Sequence, residues 1–218
     1  MKRTVDICLL TVVVMFSAAV MAETGDPSWH LPVELSDTNT KVRFELDSTW
    51  HLVHGSVNGI EGRVALGDRE RFDELVLSLS LPVAKFDTEN STRDKKMRRV
   101  MSAAEYPHVS FNGGTLQHGC TPSRVLAEGE CKDSLSGKLT ILATTLPVEL
   151  PILIKPASEG GYIITGSLPI DWAFFGVEDP SILIASVDPI VTIFYEVRLP
   201  ATKEANASIN KASMKGKE

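Results

Sequence analysis

An all-β protein is the fold class this chain predicts, and three features predict it. Apolar residues recur at every second position in one segment after another. Glycines punctuate those segments, and a single stretch before the last third has clear helical character. A period of two places one set of side chains on a dry face and the other in water. Roughly eight such segments with few helices make a sandwich or an antiparallel barrel. Long strands, whose apolar parity changes little in residue size, favour the barrel with one or two short helices.

The elements follow in order. Val42, Phe44 and Leu46 alternate with Lys41, Arg43 and Glu45, which is a strand pattern. His51 to Val57 and Ile60 to Leu66 are further β segments, and Gly55, Gly59, Gly62 and Gly67 mark the bulges or bends that closure requires. After a charged turn at Asp68-Arg69-Glu70-Arg71, Leu75, Leu77, Leu79, Leu81 and Val83 alternate again. A polar island from Asp87 to Asp94 leads into a basic helix over Thr92 to Met101, and β pattern returns from Tyr106 to Phe111. Val148, Leu150, Ile152 and Ile154 form a strand that Pro147 and Pro151 restrict to an edge or a bulge. Tyr162, Ile164, Gly166, Leu168 and Ile170 form the next. An irregular aromatic stretch with Trp172, Phe174 and Phe175 precedes a long last strand from Val187 to Leu199. Residues 200–218 hold too little apolar surface to order themselves and read as a disordered tail.

The first residues read as an export signal. Met1-Lys2-Arg3 is followed by an apolar run from Ile7 to Val20 and small residues at Val20 and Ala22. The run falls short of the about 20 apolar residues a bilayer span needs. Cleavage after Ala22 is expected, giving a periplasmic or secreted protein in which residues 23–32 form an arm leading into one domain over 33–199. Loss of Lys2, Arg3 and Asp6 moves the net charge from −6 to −7. An acidic chain without a basic stripe is a poor nucleic-acid binder, and no stable membrane insertion is expected. Cys8 leaves with the signal, so Cys120 and Cys131 remain as an even pair in an oxidising compartment and are expected to form a structural disulfide. By loop entropy that bridge stabilises by roughly 3 kcal/mol.

Little in the chain points to catalysis. His51 and His54 lie three apart on a predicted strand and so face opposite ways, although Gly55 leaves room for a bulge and His108 sits on another strand. A zinc site needs three or four convergent ligands. Gly55-Ser56-Val57-Asn58-Gly59 puts its serine one place early for a nucleophile elbow. In the polar island, Asp87-Thr88 and Ser91-Thr92 are placed to cap the helix, and Arg93 and Asp94 to pair across a barrel end. In a barrel, alternation puts Phe44, Leu77, Leu79, Ile164, Leu168, Val191 and Ile193 on the inner face. Whether such a lumen is filled by its own side chains or holds a ligand is an even choice on these grounds.

Several motifs in order carry a resemblance. Asp87-Thr88-Glu89-Asn90-Ser91-Thr92-Arg93-Asp94, the short basic helix and Tyr106-Pro107-His108-Val109-Ser110-Phe111 form a D-T-x-N-x-x-R-D…Y-P-x-V-x-F pattern. Ser48 to Gly55 with Gly59-Ile60-Glu61-Gly62, and Ser136-Gly137-Lys138-Leu139-Thr140-Ile141 with Thr144 to Val148, are two more segments of the same kind. From Val33 to Leu199 the chain resembles the YceI family of periplasmic polyisoprenoid-binding proteins. It departs in two places: Lys95-Lys96 stands where a histidine is common, and Leu142-Ala143 stands where a glycine is, so that turn is expected to be less tight.

The resemblance implies an elongated, lipocalin-like barrel that binds an isoprenoid lipid or quinone as ligand, with no cofactor and no covalent chemistry. It tips the lumen residues above toward lining a ligand channel. The basic helix is then well sited to cover one end, with Arg93 or Lys96 meeting a polar head. The rival reading is a histidine- or metal-dependent hydrolase acting on a lipid. A third is a partner-binding barrel with a filled core.

Overall fold

The computed structural model describes residues 28–67, 74–179, 181 and 186–201. The expected signal, residues 23–27 of the arm, the charged turn at 68–71 and residues 202–218 of the tail lie outside the described residues.

The described chain forms one antiparallel sheet of eleven strands. They are β1 (Val33–Leu35), β2 (Thr40–Ser48), β3 (Val53–Val57), β4 (Glu61–Leu66), β5 (Glu74–Pro82) and β6 (Phe86–Asp87). After these come β7 (His108–Leu116), β8 (Cys131–Ile141), β9 (Thr144–Pro156), β10 (Tyr162–Asp171) and β11 (Val187–Leu199). Their order across the sheet is β1-β4-β5-β7-β8-β9-β10-β11-β2-β3-β6. The basic helix is α1 (Ser91–Val100), and α2 (Pro122–Glu128) lies between β7 and β8.

Eleven strands exceed the roughly eight predicted, and local geometry is the reason. Three long β segments are each broken once. A tight turn separates β1 from β2, where Thr40 N–H donates to Ser36 O at 2.8 Å. Gly59, at φ +71°, separates β3 from β4. A 3₁₀ turn over Val83–Lys85 separates β5 from β6. The halves keep matching neighbours: β1 pairs with β4 and β2 with β3, while β4 pairs with β5 and β3 with β6. Counting each broken segment once leaves eight.

Because β2 continues β1 and β6 continues β5, the two ends of the sheet belong to the same chain segments as its interior. The sheet therefore curls round on itself. The breaks are also tied together, since both Asp37 carboxylate oxygens accept backbone N–H groups from the second break, Gly59 at 2.8 Å and Ile60 at 2.9 Å.

Between β9 and β10 the barrel wall is incomplete. β10 pairs with β9 only from Leu153 to Pro156, whereas β8 pairs with β9 along its whole length. Pro147 and Pro151 lie in the half of β9 that β10 does not pair, as prolines in a strand require. Tyr195 of β11 bridges this gap. Its ring passes over Gly166, its cross-strand partner, and its hydroxyl donates to Pro151 O at 2.5 Å. Burial pushes the Tyr195 phenol well up from its ordinary value, so the hydroxyl remains a donor.

The inner parity forms the core, with Val33, Val42, Phe111, Leu135, Leu139, Ile152, Ile154 and Tyr162 all buried. Trp29, from the arm, is buried edge-on to Tyr162 with ring centroids 4.8 Å apart. Tyr162 pairs with Leu199 at the end of β11, so the two rings fill the barrel end remote from the start of that strand.

One reading of a turn is corrected. The β8–β9 hairpin is a two-residue turn, tighter than expected, and it holds Leu142 at φ +54°. Such turns require positive φ. The core against which Leu142 packs offsets the about 1–2 kcal/mol that conformation costs a non-glycine residue. The segment between the cysteines holds the second short helix, α2. Thr121 caps its start, and Gly129, at φ +78°, ends it. The Cys120–Cys131 disulfide fastens α2 to the sheet.

Behind that disulfide sits Asp133, a residue that alternation alone does not single out. Its carboxylate accepts N–H groups from Gln117, His118, Cys120 and Ser134 at 2.7–2.9 Å. Burial by itself raises this carboxyl, but the four backbone donors outweigh it and hold Asp133 below the usual carboxylate range.

Candidate functional site

A cavity of about 580 Å3 opens at the end of the barrel that α1 covers. Its wall follows the cross-strand register. Ile193, Phe44 and Gly55 lie opposite one another in one row across β11, β2 and β3, and Val191, Leu46 and Val53 in the next. Gly55 is needed in the first row because a Cβ there would overlap the Phe44 ring. Val42, Val57, Leu81, Val109 and Ile141 complete the apolar wall below, with Phe86 packed at 5.9 Å between ring centroids from Phe44. Met97, Val100 and Met101 roof the cavity from α1, and Trp172, Val177 and Val187 close its side. Trp172 is held in place by donating from its indole N–H to Asp188 O at 2.9 Å.

The polar island builds the mouth, though not quite as its sequence implied. The cap of α1 is Asn90, whose side chain accepts from the N–H groups of Thr92 and Arg93, both at 3.1 Å. Asp94 is buried and pairs with Thr88 instead of Arg93. One of its oxygens accepts both the Thr88 N–H, at 3.0 Å, and the Thr88 hydroxyl, at 2.6 Å. Arg93 then donates from Nε to Thr88 Oγ1 at 2.8 Å and from Nη2 to Thr88 O at 2.7 Å. Its Nη1 reaches His51 Nε2 at 3.2 Å. An arginine only donates, so His51 accepts through Nε2 and carries its proton on Nδ1. Three of the five guanidinium N–H groups are committed in this way, which fixes Arg93 at the mouth and, among the described residues, leaves two to spare.

Of the residues that the sequence assigned to a lumen, the structure brings Phe44, Val191 and Ile193 to the cavity wall, and Arg93 and Lys96 to its mouth. Leu77, Leu79 and Ile164 pack against the core deeper in the barrel, and Leu168, although it pairs with Ile193, is also off this wall. No side chain of β9 or β10 lines the cavity.

The histidines are dispersed. His51 is at the mouth, His54 pairs with Glu45 at 3.0 Å, and His108 is exposed at the start of β7. Among the described residues, no three His, Cys, Asp or Glu side chains converge as a metal site would need. No described helix is long and apolar enough to cross a membrane.

A curled antiparallel sheet with a helix across one mouth and an apolar cavity beneath it defines the lipocalin-like class of barrels. The YceI-like domain model matches residues 34–199, and the chain belongs to that family. Two solved structures share the fold. BcnA of Burkholderia cenocepacia is 18% identical with a TM-score of 0.60, over 74% of this chain and 96% of that one. A polyisoprenoid binding domain from Saccharophagus degradans, implicated in plant cell wall breakdown, is 11% identical with a TM-score of 0.59, over 78% of this chain and 98% of that one. Among curated proteins, none matches significantly in sequence.

Proposed function

We propose that this protein binds an isoprenoid lipid, a polyprenyl lipid or a quinone, and sequesters or carries it after export to the periplasm or beyond. The apolar cavity under α1 is the observation that supports this reading. Its volume falls within the roughly 300–1,000 Å3 typical of small-molecule sites. Its wall is aliphatic and aromatic, with polar groups confined to the mouth, as a ligand with a greasy chain and one polar head requires. Burying such a chain gains about 25 cal/mol per Å2 of apolar surface before ordering costs, with no hydrogen bond to the chain. The spare Arg93 donors and Lys96 are placed to meet the head, and the fork of an arginine suits a phosphate. The fold shared with a polyisoprenoid binding domain of Saccharophagus degradans points the same way. The signal-like start and the disulfide support an oxidising compartment. Binding without chemistry is the activity proposed.

Mass spectrometry of organic extracts from the exported protein, beside metal analysis, tests the proposal. A co-purifying prenyl lipid is expected. Stoichiometric zinc with no lipid would favour a hydrolase instead.

A further inference from the structure

We propose that the cavity is a chain-length ruler, enclosing about four isoprene units and stopping there because a layer of side chains led by Phe111 closes the barrel beneath it. This rests on the reading of the cavity as an isoprenoid site and adds a limit to it. An apolar cavity of about 150 Å3 takes up benzene, which allots about 25 Å3 to each carbon. On that scale the 580 Å3 here holds a little over twenty carbons, or between four and five isoprene units.

The floor can be read from the register. Leu81, Val109 and Ile141 are the lowest wall residues on their strands. One pleat deeper on the same face come Leu79, Phe111 and Leu139, directly opposite one another across β5, β7 and β8. Phe111 and Leu139 are buried. The Phe111 ring lies over Gly113 and Gly137, where any added Cβ would crowd it, so two missing side chains give the ring its seat. On the far side Tyr195, one pleat below Ile193, is pinned by its bond to Pro151. Beneath this layer the barrel is filled by residues such as Leu135, Ile154 and Tyr162. A longer chain has to pass back out of the mouth, where further units gain little.

The test is competition between a fluorescent naphthylamine dye and prenols of two to eight isoprene units, using delipidated mature protein. Up to four units, each added unit is expected to tighten binding by roughly tenfold or more. Beyond five, the whole remaining series is expected to differ by less than about threefold. Tenfold tightening that continues past six units, or equal affinity from two units onward, would overturn the ruler while leaving lipid binding intact. Binding of no prenol at all would overturn both readings.

Two variants locate the stop. Phe111→Ala removes a benzene-sized group and moves the break in the series up by about one unit. Val109→Phe adds four carbons to the lowest wall row and moves it down by about one unit. Val109→Phe keeps the test decisive if Phe111→Ala does not fold. A break that stays put in a folded variant would place the floor elsewhere and overturn the assignment to Phe111.

Discussion

Removing the Asp94 carboxylate should loosen the helix over the cavity while leaving the rest of the barrel in place. Asp94 and Thr88 are both buried, and two hydrogen bonds join them through a single carboxylate oxygen. A hydrogen bond to a charged acceptor contributes roughly 1.5–3 kcal/mol, and a buried N–H left without a partner costs about 1–3 kcal/mol. Asp94→Ala deletes both bonds and strands the Thr88 N–H. It also leaves Thr88 Oγ1 unpositioned for Arg93. Allowing for water entering as the helix yields, about 3 kcal/mol is lost. Asp94→Asn is expected to cost only about 1 kcal/mol, because an amide oxygen in the same place still accepts both bonds as neutral ones. Since the loss is local to the join between α1 and β6, it should appear first as sub-global opening. Hydrogen exchange over residues 91–101 should speed by about a hundredfold in the alanine variant and by less than about tenfold in the asparagine variant, with protection in β7–β9 retained. Dissociation of a bound prenol should accelerate in the same order. Equal effects of the two substitutions, or a loss of protection spread evenly over the barrel, would refute this account of how α1 is held.

Two further outcomes are expected. Asp133 has a folded-state carboxyl below its unfolded value, so its contribution to stability is complete above about pH 4 and is lost as pH falls through the folded value. Acid titration of the melting temperature should therefore be steeper in the wild type than in Asp133→Asn, and parallel curves would contradict the role of the four N–H donors. Gly55→Ala drives the Phe44 ring into the cavity instead of into packed neighbours, so it should cost only about 1 kcal/mol, at the low end for overpacking, while lowering lipid occupancy. A variant that melts as the wild type does and carries undiminished lipid would show that the ring has another way to move.

Much of the fold was legible because it rests on a local rule. Alternation located the β segments, prolines marked the half of β9 that β10 leaves unpaired, and cysteine parity anticipated the bridge between Cys120 and Cys131. The misses have physical causes as well. The strands β1 and β6 are only three and two residues long, too short to show alternation, and the breaks near Ser36 and Val83 that set them off shift the inner parity, from Leu35 to Val42 and from Leu81 to Phe86. In α2, seven residues between two cysteines are too short to show a helical period. Asn90 and Asp94 were visible as polar residues of the island, but their partners depend on where the island folds back. Asp133 gave no signal, because its four donors come from backbone brought together only by the hairpin and the disulfide.

The harder question was which inward residues face a cavity and which fill one. Alternation reports the side of a strand and carries no information about depth along it. Phe44 and Phe111 look alike in sequence, each an inward aromatic on a β segment, and each lies over glycine in the folded barrel. Phe44 rests on Gly55 within the cavity wall, whereas Phe111 rests on Gly113 and Gly137 and is buried below. What separates them is the level at which their strands meet. β2 carries Phe44 into a row with Val191, Leu46 and Val53 above it and α1 beyond, while β7 carries Phe111 between Leu79 and Leu139. A binding cavity in a barrel of this kind is therefore a property of register. Aromatic–glycine pairs across neighbouring strands are its best sequence trace, because a ring that lies flat on a glycine either frames an open space or seals one.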